Sequence, residues 1–480
     1  MKMLIGGQFR AASNNASKDD FNPATGEVID TYPLATTEDI QEALENARKG
    51  FLEWSNTPLH VRLKIMYKYA DLLEENKDGL TRLMCQESGK AISKCRLEVD
   101  EAIIVFRGYC EKARNFMGDT LPLDTEPRSQ DDLIVTLHQP LGVIVCIVPF
   151  NFPVELYAHK VAPALVTGNA VLIKPASDTP LQNIFMTELL LKAGVPGNAA
   201  QIVTGSGATV GAQLTKSKLV NAVSITGSTE VGIETMRNCA EGLHHVGLEL
   251  GGNDPLLIFD DCDLDRAVSE TFIGRLSNAG QTCCASKRFI VQNSIKDTYI
   301  EKMIEALQHV HVGDPFDEKN YYGPMISESA AKEIERQINH TILQGAKCAF
   351  GGKRFNKAFI EPTLLVDVTP EMDIAKDMEV FGPVIPVIGF DTVDEAIAIA
   401  NNIPYGLQSG VMTANMSTAF RVAKEIQCGC CVINGSGNYR SAHQAFGGWK
   451  MTGLGREGIS YTLEEMTQVK TIALKGIFRK

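Results

Sequence analysis

The chain has 480 residues, 44% hydrophobic and 22% charged, a composition that supplies the apolar material for two or three packed units. Its formal net charge of −12 leaves no basic stripe to neutralise a phosphate backbone, so nucleic acid is not an expected partner. No run of eighteen apolar residues occurs, and the opening MKMLIGGQFRAASNN lacks a signal-peptide core, so no membrane partner is expected and the chain reads as cytoplasmic.

The first 115 residues or so read as mostly helical: from LATTEDIQEALENARKGFLEW (34–54) apolar residues recur at helical spacing, with Thr36 or Thr37 placed to cap the start. DLIVTLHQP (132–140) then alternates apolar and polar. GVIVCIVPF (142–150) is unbroken and closed by proline, as expected of a strand covered on both faces. AVLIKP (170–175), QIVTG (201–205), NAVSITG (221–227) and DPLLIF (254–259) are similar short runs, separated by helical stretches such as PLQNIFMTELLLKAG. The alternation predicts β-α-β units around a parallel sheet, with a nucleotide site at the carboxyl ends of its strands. A break is expected near Gly251-Gly252, followed by a second α/β unit built from KRFIVQ, IKDTYIEKMIEALQHV, FIEPTLLVDV, VIPVIGF and VDEAIAIANN. The tail TQVKTIALKGIFRK alternates again; with 132–140 it is expected to form arms that pair with another subunit.

Twelve cysteines spread thinly along so long a chain are expected to be reduced. CGCC (428–431) has no second C-x-x-C pair at a distance and runs into the apolar VIN, so it reads as small core residues on a strand, and no metal is expected. NAGQTCCASKRFIV (278–291) is the exception that calls for chemistry, because Cys283 and Cys284 stand side by side between a glycine-containing turn and a strand.

Other stretches suit a nucleotide. GSGATVG (205–211) is one residue longer than a dinucleotide fingerprint and is equally ordinary turn material. ITGSTEVG (225–232) ends a strand at Gly227-Ser228 and begins a helix whose first N–H groups face a pyrophosphate. LIKPAS (172–177) sets Lys174 at a strand's carboxyl end, within reach of a cofactor ribose or phosphate.

Taken in order, VPFNFP, LIKPAS, ITGSTEVG, LELGGNDP, GQTC, EVFGP, NNIPYGL and AFGGWKMTGLGRE resemble the aldehyde dehydrogenase superfamily along nearly the whole chain, with 34 residues from Glu249 to Cys283 as that pattern requires. Within it the chain resembles the group containing succinate-semialdehyde, lactaldehyde and non-phosphorylating glyceraldehyde-3-phosphate dehydrogenases. The resemblance implies an α/β fold of three parts. These are a Rossmann-like cofactor domain (1–118 and 141–251), an α/β catalytic domain (252–452), and small β oligomerisation arms (119–140 and 453–480) that build a homodimer or homotetramer. It implies Cys283 as nucleophile rather than Cys284, Asn151 as oxyanion donor, and Glu249 as general base for thioester hydrolysis. It gives Glu379 and Phe381 the nicotinamide ribose and ring, and Lys174, Ser177, Gly227 and Ser228 the rest of an NAD or NADP. Ser177 stands where many NAD-preferring relatives carry a glutamate, so a 2′-phosphate has room there, although Asp178 next door opposes it.

For the substrate, Arg440 before A-F-G-G, Arg107 in IIVFRGYCEKA and His159 after VPFNFP suggest a small anionic aldehyde, carrying a carboxylate, phosphate or sulfonate. Lactaldehyde or another neutral aldehyde is the alternative. A coenzyme A-acylating enzyme is disfavoured by the retained Glu249, and a non-catalytic protein by the retained Cys283 and Asn151.

Overall fold

The computed structural model describes residues 1–121 and 123–479; Pro122 and Lys480, both inside the segments assigned to the arms, lie outside the described residues. The first 115 residues are mostly helical, as expected, but the stretch before the helices holds four short strands the sequence did not announce: β1 (Met3–Ile5), β2 (Gln8–Arg10), β3 (Ser17–Phe21) and β4 (Val28–Pro33). Gly6 and Gly7, at φ +60° and +79°, supply the turn that folds β2 back on β1. Two successive positive φ angles make a tight hairpin, and these strands are too short for periodicity to reveal.

Helix α1 (Thr37–Ser55) begins as expected. The Thr36 hydroxyl accepts from the Asp39 N–H at 3.2 Å and the Asp39 carboxylate accepts from the Thr36 N–H at 3.0 Å, a reciprocal cap. Helices α2 (Leu59–Glu75), α3 (Lys77–Ser88) and α4 (Ile92–Arg114) follow, and the buried faces of α2 and α4 pack in one core. Strand β6 (Leu133–Pro140) pairs on one side with β5 (Thr120–Leu121) and on the other with Thr467–Leu474 in a three-stranded antiparallel sheet. Val469, Ile472, Leu474 and Leu137 of that sheet are exposed.

The main sheet is set by apolar runs. β7 (Val143–Ile147), β8 (Ala170–Lys174), β9 (Ala200–Ile202), β10 (Ala222–Thr226) and β11 (His245–Glu249) are parallel, in the order β9-β8-β7-β10-β11. From β7 the chain runs outward through β8 to β9, then returns to β10 on the other side. The switch point therefore lies between β7 and β10, where a crevice opens at the strands' carboxyl ends. Connecting helices are α5 (Glu155–Val166), α6 (Pro180–Ala193), α7 (Ala212–Lys216) and α8 (Thr229–Ala240). Gly453–Leu454 adds to this sheet beside Glu249 and Leu248, so residues 453–480 are not wholly an arm.

The second sheet has seven strands, with β12 (Asp254–Ile258) and β13 (Ser286–Gln292) at its centre and α9 (Leu264–Leu276) between them in the chain. Cys430 and Cys431 form ladder pairs with Gln408 and Ser409 on its last strand, which explains the apolar context of C-G-C-C. No helix of the described residues is long and apolar enough to cross a membrane.

Candidate active site

The nucleophile loop enters through a tight left-handed turn: Asn278, Ala279 and Gly280 have φ of +52°, +55° and +76°. A Cβ on Gly280 would lie 2.3 Å from the Gly382 carbonyl oxygen, so only glycine fits that approach. Side chains fix the rest. The Asn278 amide donates to the carbonyls of Asn151 (3.1 Å) and Gln281 (3.2 Å), and the Asn151 amide donates to the Gln281 carbonyl at 3.1 Å. Asn151, which follows β7, is thereby pinned beside the residues leading to Cys283, with a second N–H to spare.

The two thiols have different settings. Cys284 is buried with Leu407 and Phe446, its sulfur 3.7 Å from Asn438 Oδ1, whereas Cys283 is partly exposed. The Cys284 thiol, burial and the negative charge of Glu249 together raise the Cys283 thiol well above its ordinary range, against the pull of Lys287. Cys283 thus rests protonated and must lose its proton before it attacks. Glu249, at the end of β11, is buried, and among the described residues neither carboxylate oxygen has a hydrogen-bond partner. Burial and then Glu457 push it up to about 7, while Lys160, Arg440 and the Cys283 thiol pull it down. A carboxylate poised near neutrality suits a group that both accepts and releases protons.

The expected cofactor residues line the carboxyl rim of the main sheet. Lys174 ends β8, is buried, and its ammonium donates to the Pro175 carbonyl at 2.7 Å; burial lowers it to about 8, with Asp178 opposing. The Ser177 hydroxyl donates to the Gly205 carbonyl at 3.2 Å, tying its loop to G-S-G-A-T-V-G. Ser228 caps α8, its hydroxyl accepting from the Val231 N–H at 3.4 Å, and the Gly227 N–H donates to the Glu249 carbonyl at 3.0 Å. On the facing unit, Glu379 accepts from the Gly252 N–H at 3.2 Å and pairs with Lys287 at 3.1 Å. Phe381 stands edge-on to Phe150, ring centres 6.0 Å apart. A Cβ on Gly251 would strike the Glu379 carboxylate at 2.2 Å, which explains the glycine there. A buried cation, a capped helix start and a carboxylate held across the crevice fit a nicotinamide dinucleotide.

The aldehyde dehydrogenase family model matches residues 9–472. The chain belongs to the aldehyde dehydrogenase family. It is 37% identical over 470 residues to glutarate-semialdehyde dehydrogenase of Pseudomonas putida, covering 98% of this chain and 97% of that one. It is 35% identical over 473 residues to NADP-dependent succinate-semialdehyde dehydrogenase of Escherichia coli, with 98% and 97% covered. The solved structure of Staphylococcus aureus betaine aldehyde dehydrogenase with NAD+ superposes with a TM-score of 0.96 at 34% identity, covering all of this chain and 95% of that one. This aldehyde dehydrogenase is therefore an oxidoreductase that uses NAD or NADP to oxidise a small aldehyde.

The expected anion clamp is only partly assembled in this aldehyde dehydrogenase. Arg107 turns away: on α4 it pairs with Asp71 (3.1 Å) and Glu74 (3.6 Å) of α2, partners one helix away that a single-helix reading does not reveal. His159 is buried on α5, 3.5 Å from the Tyr109 hydroxyl and 3.8 Å from Glu155; burial and then Arg440 keep it neutral, so it adds no positive charge. Arg440 does reach the site. It lies 4.1 Å over the Phe446 ring, its Nη2 donates to Glu457 at 3.0 Å, and its Nε lies 3.6 Å from Glu155. Although burial opposes it, Lys160 (2.6 Å) and Arg440 hold Glu457 down at about 2. Glu457, Lys160, Glu155 and Lys287, whose ammonium donates to the Cys283 carbonyl, escaped the sequence reading. Lys160 adjoins His159 and Glu457 lies in G-L-G-R-E, yet neither position announces its partner.

Proposed function

We propose that the enzyme oxidises a small anionic aldehyde to its carboxylate through a thioester on Cys283. The Cys283 thiol loses its proton to solvent, the sulfur bonds to the carbonyl carbon, and the resulting oxyanion is met by the Asn151 amide and the Cys283 backbone N–H. When bound, the nicotinamide supplies the hydride acceptor. Glu249 then takes a proton from water, the water oxygen bonds to the acyl carbon as the C–S bond breaks, and Glu249 passes that proton to the leaving sulfur, restoring the thiol. Lys174, Ser177, Gly227 and Ser228 hold the adenosine and pyrophosphate end, and Glu379 and Phe381 the nicotinamide end.

The observation that carries the substrate class is Arg440, a cation whose side chain is still 14% exposed and which lies in the field of Glu249 and Glu457. Dicarboxylic semialdehydes are the substrates named for two of the similar proteins. The test is a panel of succinate semialdehyde and butanal on wild type and Arg440→Leu. The Michaelis constant for the anionic aldehyde should rise at least tenfold in the variant while that for butanal holds; equal changes would dismiss the anionic reading. A neutral hydroxyaldehyde is a second reading, favoured by Glu155 and Glu457 flanking Arg440, since that arrangement offers a hydroxyl both donors and acceptors.

The exposed apolar residues on the sheet of β6 and Thr467–Leu474 support assembly into a dimer or tetramer. We place the enzyme in the cytoplasm, where its free thiols stay reduced.

A further inference from the structure

Arg440 is held unequally by its two carboxylates. Its Nη2 donates to Glu457 at 3.0 Å, whereas its Nε lies 3.6 Å from Glu155 and makes no hydrogen bond. The second contact is an ion pair without the directional bond, and so the weaker of the two. Glu457 is also bound by Lys160 at 2.6 Å. Among the described residues Glu155 has no second cation in contact: His159, one turn along α5, is neutral, and the backbone N–H groups of Val154 and Glu155 donate to Glu98, not to Glu155. Behind it Glu98 is neutralised by Lys90, and Glu101 adds a further negative charge. Arg440 and Glu155 are in contact, and each side chain keeps a little solvent exposure, 14% and 15%.

Resting on the anionic-aldehyde reading above, we propose that Glu155 is the exchangeable counter-ion of Arg440. The substrate's anionic group takes its place on the guanidinium, and Glu155 takes up one proton from solvent as it does. Glu457 and Lys160 stay in place. Glu155 is then a specificity-determining residue, which admits an anion near neutral pH, excludes it in alkali, and leaves a neutral aldehyde unaffected.

The sign follows from the charges. Burial already holds Glu155 up to about 6 with Arg440 pulling it down; losing that cation to a ligand and gaining a like charge raises it further. Below pH 6 the proton is already on Glu155 and the exchange is free. Above it, each pH unit weakens anion binding by about tenfold, until the ligand-bound value is reached.

The experiment measures kcat/KM for succinate semialdehyde divided by that for butanal, from pH 6 to 8.5, in wild type and Glu155→Gln. Taking the ratio removes the titration of Glu249, which both substrates share. In wild type the ratio should fall by about tenfold or more between pH 6.5 and 8; in Glu155→Gln it should be flat, and above wild type at pH 8. Calorimetry of wild type with 4-hydroxybutyrate, an unreactive single anion, in two buffers of different ionisation enthalpy should find close to one proton taken up at pH 7.5. These wild-type readings decide the matter if the variant does not fold. A flat wild-type ratio that still favours the anion overturns the exchange and leaves the anionic substrate standing. A wild-type ratio below one at every pH overturns both.

Discussion

Glu249→Gln separates the electrostatic cost of the general base from its catalytic use. The Glu249 carboxyl rises from 4.5 to about 7 on folding, chiefly through burial and then through the charge of Glu457. A folded value above the unfolded one means that the folded state holds the proton more tightly. The stability this gives is complete below pH 4.5, declines as pH rises, and is gone above about pH 7, where a buried carboxylate must be ionised. A shift of about two and a half units corresponds to ~3 kcal/mol. Glutamine has the same shape and no charge to bury. Thermal unfolding of the two proteins from pH 5 to 9 should therefore give similar midpoints in acid, and a variant that becomes progressively more stable than wild type in alkali, by up to ~3 kcal/mol. Turnover should move the opposite way, with the variant retaining a pre-steady-state burst of reduced cofactor and losing steady-state rate by about a hundredfold or more. A stability difference that does not change with pH would refute the buried-carboxylate argument, and loss of the burst would show that Glu249 is needed before thioester hydrolysis.

Cys284→Ala should keep most activity while Cys283→Ala loses it, because Cys284 is buried whereas Cys283 is partly exposed and lies in the field of Glu249; comparable losses in steady-state assays would reverse the assignment. Ser177→Glu should lower kcat/KM for NADP by about tenfold or more relative to NAD, because a carboxylate beside Lys174 repels a 2′-phosphate and accepts ribose hydroxyls instead. An unchanged cofactor ratio would place the 2′-phosphate elsewhere. Val469→Asp with Ile472→Asp puts charges on exposed apolar positions of the arm and should shift light scattering toward smaller species; an unaltered mass would remove that strand from the interface.

Much of the site was legible because its parts sit at chain punctuation. Asn151, Lys174, Gly227, Ser228 and Glu249 all lie at or just beyond the carboxyl ends of parallel strands, where an apolar run stops and a turn begins, and the sheet order brings those ends to one crevice. What stayed hidden depended on partners far away in sequence. Lys160 and Glu457 are 297 residues apart, and neither carries a local signal that the other neutralises it. Arg107 misled for the same reason, since helical spacing gives the face of α4 but not the identity of the helix opposite. The hairpin at Gly6-Gly7 was missed because a two-residue turn between three-residue strands gives periodicity nothing to act on.

The central claim is that the acyl group is carried by Cys283. Glu249→Gln mixed with succinate semialdehyde and NADP, quenched in acid and digested, should yield a peptide spanning Asn278–Lys287 that has gained one succinyl group, located by fragmentation on the sulfur of Cys283. An adduct on Cys284, or reduced cofactor formed in the burst without any adduct on that peptide, would contradict it.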